Sequence, residues 1–183
     1  QQHQPFEALS DAAWDLVLDI NLNAAMVLSR ACTRPMAKAG SGAIVNICSG
    51  ASLRASLTGI QAYCAAKHGL IGYADALRSE VAGQGVKVLV VAPGSVRTNV
   101  SRNALNADGT VRGASDAAID NGIDPDVVAT TIWDAVDAGK REIVIAEGME
   151  AGIPVLRAQD PEKLFDMVEA MVADGYAQKI AAR

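Results

Sequence analysis

Two short runs of apolar, largely β-branched residues, 43–48 and 86–92, constrain this chain more than any other feature. Each is nearly continuous in its hydrophobicity and bounded by glycine, serine or proline. That is the pattern of a strand buried on both faces of a parallel sheet. Between them, Ala66, Leu70, Ile71, Ala74, Leu77 and Val81 recur at helical spacing over residues 62–82, and Gly83 and Gly85 end the run. Two parallel strands need a crossover, and a helix of this length supplies one. The order strand, helix, strand therefore predicts a βαβ unit in an α/β fold.

The flanking segments extend the pattern. Ser10 and Asp11 read as a helix N-cap with an acidic first turn, and the apolar repeat from Trp14 carries the helix to residues 36–39, with Pro35 inside it and Gly40 after it. Asn21 falls in the middle of this helix, where an amide competes for backbone hydrogen bonds. Residues 99–123 show no strong period and are predicted to form a lid, a binding loop or a disordered segment. Asp124 and Pro125 open another helix, which Gly139 ends, and residues 141–146 alternate enough for a last strand. A second Asp-Pro pair, Asp160 and Pro161, starts a tail helix striped with Leu164, Met167, Val168, Met171 and Val172. This gives one domain over residues 1–183, with a catalytic part at about 6–146 and a helical tail at about 147–183.

Composition removes several classes of function. The formal net charge is −5 with no basic cluster, which argues against a nucleic-acid partner. The three cysteines form no Cys-x-x-Cys pair and the only histidines are His3 and His68, so no metal site is expected and the three thiols read as reduced core residues, in a cytoplasmic protein. No apolar run reaches the roughly 18 residues a spanning helix needs, and the tail's flanks are acidic on balance. Membrane association is therefore not expected.

The chemistry concentrates at residues 46–67. Tyr63 and Lys67 are four residues apart, about one helical turn, so they share a face. A free tyrosine titrates near pH ~10; a lysine cation one turn away favours the phenolate and draws the proton exchange towards neutrality. Ser49 closes the first apolar run fourteen residues before Tyr63, at the carboxyl end of a strand, where open α/β sheets bind ligands. Ser52 is its rival. His68 lies about 100° around the helix from Lys67 and reads as structural.

Taken together, Asn21 within residues 19–22, the run 42–49, the Tyr63/Lys67 pair and the stretch 93–98 resemble the short-chain dehydrogenase/reductase family over about residues 6–146. Residues 98–105 followed by Asp108 and Gly109 resemble its dehydrogenase/reductase member 7 branch and bacterial relatives. The resemblance implies a Rossmann-like, doubly wound parallel sheet. It also implies a catalytic set of Asn21, Ser49, Tyr63 and Lys67, with Asn21 kinking its helix and holding a water beside the lysine. Tyr63, Lys67, Pro93, Gly94, Val96 and Thr98 would contact an NAD or NADP cofactor, the Val96 backbone and Thr98 at its nicotinamide carboxamide. Residues 54–61 would wall the pocket of a small carbonyl or alcohol substrate, with 99–123 as the substrate loop. The helices at 11–39 and 62–82 would pair subunits in a homodimer or homotetramer.

One departure is large. The family's glycine-rich nucleotide fingerprint and the Asn-Asn-Ala-Gly stretch expected before residue 6 are missing from this sequence. The chain thus reads as the fold without its N-terminal nucleotide-binding half, and the region that selects NAD or NADP is not present. Two rival readings follow: an inactive fragment serving as a binding or oligomerisation module, and a sugar-nucleotide epimerase, which shares the Tyr/Lys pair. The short Ser49–Tyr63 spacing disfavours the epimerase.

Overall fold

The computed structural model describes residues 5–50, 59–105 and 109–175. Its centre is a three-stranded parallel sheet in the order β1-β2-β3, formed by β1 (Gly42–Ile47), β2 (Val86–Pro93) and β3 (Glu142–Ile145). Both expected strands and the last one are therefore present, and the polarity is parallel throughout. Seven α-helices accompany them among the described residues: α1 (Asp11–Leu18), α2 (Ala24–Ala39), α3 (Gln61–Glu80), the single turn α4 (Ala117–Asp120), α5 (Pro125–Asp137), α6 (Gly148–Gln159) and α7 (Pro161–Ala173).

The central strand shows why the fold holds. Leu89, Val90, Val91 and Ala92 are essentially fully buried, and each such Leu or Val stabilises the fold by roughly 1.5–3 kcal/mol over exposure. Side chains alternate across β2. Val86, Val88 and Val90 pack with Ile44 against Leu70, Ala74 and Leu77 of α3. Leu89 and Val91 pack with Ile145 against Val128, Ala135 and Val136 of α5. Helices thus cover both faces, the doubly wound arrangement. Lys87, on the α5 side, spends its charge on the helix end, donating to Val136 O at 2.8 Å.

The helix boundaries follow their local chemistry. Ser10 Oγ accepts from Ala13 N, Asp124 from Asp126 N and Asp160 from Lys163 N, so all three expected N-caps are made. Gly40 takes the left-handed conformation (φ 65°) that ends α2. Between α1 and α2 lies a five-residue π-turn, Asp19–Asn23. Asn21 Nδ2 donates to Val17 O at 2.9 Å, occupying the carbonyl its own backbone N–H would take in an α-helix. The turn widens to an i−5 bond, Ala24 N to Asp19 O.

Three features depart from the sequence expectation. The helical tail is two helices, because residues 148–159 form a separate one, α6, ahead of the expected start at Asp160, although Gly148, Gly152 and Pro154 obscure it. Cys32 is exposed on α2, whereas Cys48 and Cys64 are buried as expected. The stretch after β2 is more ordered than a bare loop, as described below. Among the described residues no helix is long and apolar enough to cross a membrane.

Candidate active site

Parallel strands deliver their carboxyl ends to one edge of the sheet, and the chain leaves each of them there in a loop. Ile47 pairs with Val91, and Cys48 N donates to Val91 O at 2.7 Å, so β1 and β2 finish side by side. Cys48, Ser49 and Gly50 follow β1 in that order. A Cβ on Gly50 would lie 3.5 Å from Pro93 O, which shows how closely the two loops approach.

Tyr63 and Lys67 occupy the first two turns of α3. Lys67 Nζ donates to Ile47 O at 2.9 Å and sits 5.6 Å from the centroid of the Tyr63 ring. The ammonium is thus anchored to the last residue of β1, one turn from the phenol. Burial lowers the Lys67 pKa, and the neighbouring Cys48 thiol opposes that change. Burial also pushes the Cys48 thiol up to about 11, against the pull of the Lys67 charge.

The π-turn brings Asn21 to the same place. It packs on α3 where the helix is thinnest: a Cβ on Gly69 would lie 3.1 Å from Leu22 Cδ2. Asn21, Asn46, Ile47 and Lys67 line one groove of about 410 Å³ beside the outer edge of β1. Asn46 is buried there, and its Nδ2 has no hydrogen-bond partner among the described residues. Nothing in the strand pattern of the sequence singles out this amide.

The loop after β2 has a defined edge. Ile123 N donates to Ser95 O at 3.0 Å and Arg97 N to Ile123 O at 2.9 Å, a parallel bridge centred on Val96. Backbone groups alternate along an extended strand, so the Val96 N–H and C=O face the opposite side, unpaired among the described residues. One donor beside one acceptor matches a primary carboxamide, so the residues present fit the nicotinamide end of a dinucleotide cofactor. Thr98 Oγ1 accepts from Val100 N at 3.3 Å, keeping its own O–H as a donor.

On either side of Thr98, three arginines each meet an aspartate. Arg97 pairs with Asp124, Arg102 lies 4.0 Å from Asp120, and Arg112 forks onto both oxygens of Asp116. The buried Ser101 hydroxyl donates to Asp116 Oδ2 at 2.7 Å and accepts from Arg112 Nη1 at 3.1 Å. These arginine–aspartate pairs hold the loop together. Two further contacts are invisible in the sequence: Glu150 of α6 reaches back to Ser95, and His68 Nδ1 engages Cys64 O on its own helix. Ser52 and most of the expected pocket wall at 54–61 lie outside the described residues. Among the described residues, no group of three or more His, Cys, Asp or Glu could hold a metal ion.

A family model for short chain dehydrogenase matches residues 1–109. Dehydrogenase/reductase SDR family member 7B of Danio rerio is 39% identical over 130 residues, 71% of this chain and 42% of its own length. A short-chain dehydrogenase structure from Streptomyces avermitilis superposes with a TM-score of 0.70 at 25% identity, covering all of this chain and 68% of that one. A 4-hydroxyisoleucine dehydrogenase complexed with NADH and succinate gives 0.62 at 28% identity, covering 82% and 64%. The chain therefore spans about half the length of the curated relatives it matches. With its parallel sheet, its doubly wound helices and these relatives, the chain belongs to the short-chain dehydrogenase/reductase family, in the branch of dehydrogenase/reductase member 7.

Proposed function

We propose that this chain carries the catalytic part of an NAD(P)-dependent oxidoreductase that interconverts a carbonyl and an alcohol. The observation that carries this reading is the Lys67 ammonium, fixed on Ile47 O at the carboxyl end of β1 and one turn from Tyr63. In the reductive direction, the Tyr63 O–H gives its proton to the substrate's carbonyl oxygen, leaving a phenolate. The cofactor, when bound, supplies the hydride to the carbonyl carbon. The Lys67 charge stabilises that phenolate. The Ser49 hydroxyl donates to the same substrate oxygen as charge builds on it. Asn21, on the groove that Lys67 also lines, would hold a water through which the proton is replaced. The Val96 peptide edge and Thr98 would hold the carboxamide of the nicotinamide, with Pro93 and Gly94 shaping the turn beneath it.

The phosphates of such a cofactor need a glycine-rich cradle, which this sequence does not contain. The activity is accordingly proposed for the complete polypeptide. Tyr63→Phe removes only the transferable proton, so turnover should fall by at least about a thousandfold. NAD(P)H binding, read by cofactor fluorescence, should persist. Near wild-type turnover would sink the assignment.

A second reading, an oligomerisation or binding module, draws on one observation. Ile20 and Leu28 are 66% and 65% exposed on the helices beside the open edge of β1. The two readings separate in the same experiment: a module would assemble identically with or without the Tyr63 hydroxyl and turn over nothing.

A further inference from the structure

The loop after β2 is held from two sides. On the α5 side, Ile123 bonds both Ser95 O and Arg97 N. On the β3 side, Gly94 N donates to Ile145 O at 2.9 Å. Glu150 then closes over the turn: Ser95 N donates to its Oε2 at 2.8 Å and the Ser95 hydroxyl to its Oε1 at 3.3 Å. Both carboxylate oxygens thus rest on one residue, fifty-five positions earlier in the chain.

The approach depends on Gly94. A Cβ there would overlap the Glu150 carboxylate and come within 3.0 Å of Ala146 Cβ. Glycine at this position is what lets an acidic side chain lie across the backbone. Glu150 sits in the first turn of α6, where the helix end favours a negative charge. A carboxylate accepting a backbone N–H is a stronger tie than a neutral pair. The peptide that follows Ser95 is the one that presents the Val96 N–H.

We propose that Glu150 is a positioning residue for the nicotinamide end of the cofactor, acting through Ser95 on the Val96 peptide edge. The inference rests on the nicotinamide reading given above. It makes α6 part of the binding apparatus, although α6 and α7 pack mainly on each other. It also explains why the sheet's functional end needs a helix from beyond β3.

The test uses the complete polypeptide, with NAD(P)H fluorescence titration, steady-state kinetics and thermal melting. Glu150→Ala should raise the NAD(P)H Kd and the cofactor KM about tenfold, the effect of losing one charge-assisted tie. Its kcat at saturating cofactor should fall far less. Glu150→Gln keeps one acceptor for Ser95 N and should raise Kd by only about threefold. Gly94→Ala should raise Kd more in the wild-type background than beside Glu150→Ala, because part of its clash is then gone. An unchanged Kd in both Glu150 variants overturns the inference, as does a fall in kcat with Kd intact. In either case cofactor binding by the wild type and loss of turnover in Tyr63→Phe leave the parent reading standing. A wild-type protein that binds no NAD(P)H overturns both. If Glu150→Ala does not fold, Glu150→Gln and the Gly94 comparison decide between the outcomes.

Discussion

Cys48 stands immediately before Ser49, and its thiol is 3% exposed. Burial moves its pKa from 9.0 to about 11; the Lys67 charge opposes this and the Glu142 charge adds to it. The unfolded chain therefore releases this proton near pH 9 and the folded chain near pH 11. Between those values the folded state binds more protons than the unfolded state, so stability falls as pH rises. The contribution is whole below about pH 9 and lost on the way to about pH 11. At about 1.4 kcal/mol for each pH unit, the full loss is roughly 3 kcal/mol, of which about 2 kcal/mol falls between pH ~8 and ~10.5. Lys67 acts with the opposite sign. Its lowered pKa makes the folded state shed that proton first, so stability is regained as pH climbs towards the ordinary lysine range. Cys48→Ala keeps Lys67, so comparison with wild type largely cancels the lysine. Urea unfolding of the complete polypeptide, followed by circular dichroism at both pH values, reads the difference. Wild type should lose about 2 kcal/mol more than Cys48→Ala between pH ~8 and ~10.5. The packing lost with the sulfur is the same at both pH values, so only the slope is diagnostic. Losses that run parallel to within about 0.5 kcal/mol would refute the argument that burial holds this thiol neutral.

Two other perturbations follow from contacts away from the thiol. Ser101→Ala strips the Asp116 N–H and Arg112 of a shared partner. Hydrogen exchange at the Arg112 and Gly113 amides, which bond Ala104 O and Arg102 O, should then quicken about tenfold, matching roughly 1–2 kcal/mol of lost closure; unchanged exchange would mean the Arg112–Asp116 fork suffices alone. A side chain at Gly85 (φ 75°) would overlap the backbone oxygen of Gly40, whereas Gly83 (φ 78°) faces open space. Gly85→Ala should therefore cost about 2–5 kcal/mol and Gly83→Ala about 1–2 kcal/mol in chemical denaturation; equal costs would show that the backbone near Gly40 yields.

Much of the architecture was legible because it is written in local chemistry. The β-branched runs, the Asp-Pro helix starts and the glycine stops act within a few residues of themselves. Tyr63 and Lys67 could be placed on one face from helical geometry alone. Asn21 was readable as a mid-helix irregularity, because its amide competes with its own backbone for Val17 O. Helix α6 was legible only as part of a helical tail and not as a helix of its own, since Gly148, Gly152 and Pro154 all argue against one in isolation. The three loop arginines were visible as charges, but their partners were not.

The sequence by itself thus determined the parallel α/β fold, the βαβ crossover and the order in which Ser49, Tyr63 and Lys67 arrive. These depend on periodicity and capping, which are properties of adjacent residues. Only the tertiary structure decided what surrounds them: Ile47 O as the anchor of Lys67, Ile123 as the brace of Val96, and Glu150 as the clasp on Ser95. Each of those pairs joins residues twenty or more positions apart, and nothing in local propensity ranks one distant partner above another. The choice is made when strands pack and every buried donor must find an acceptor.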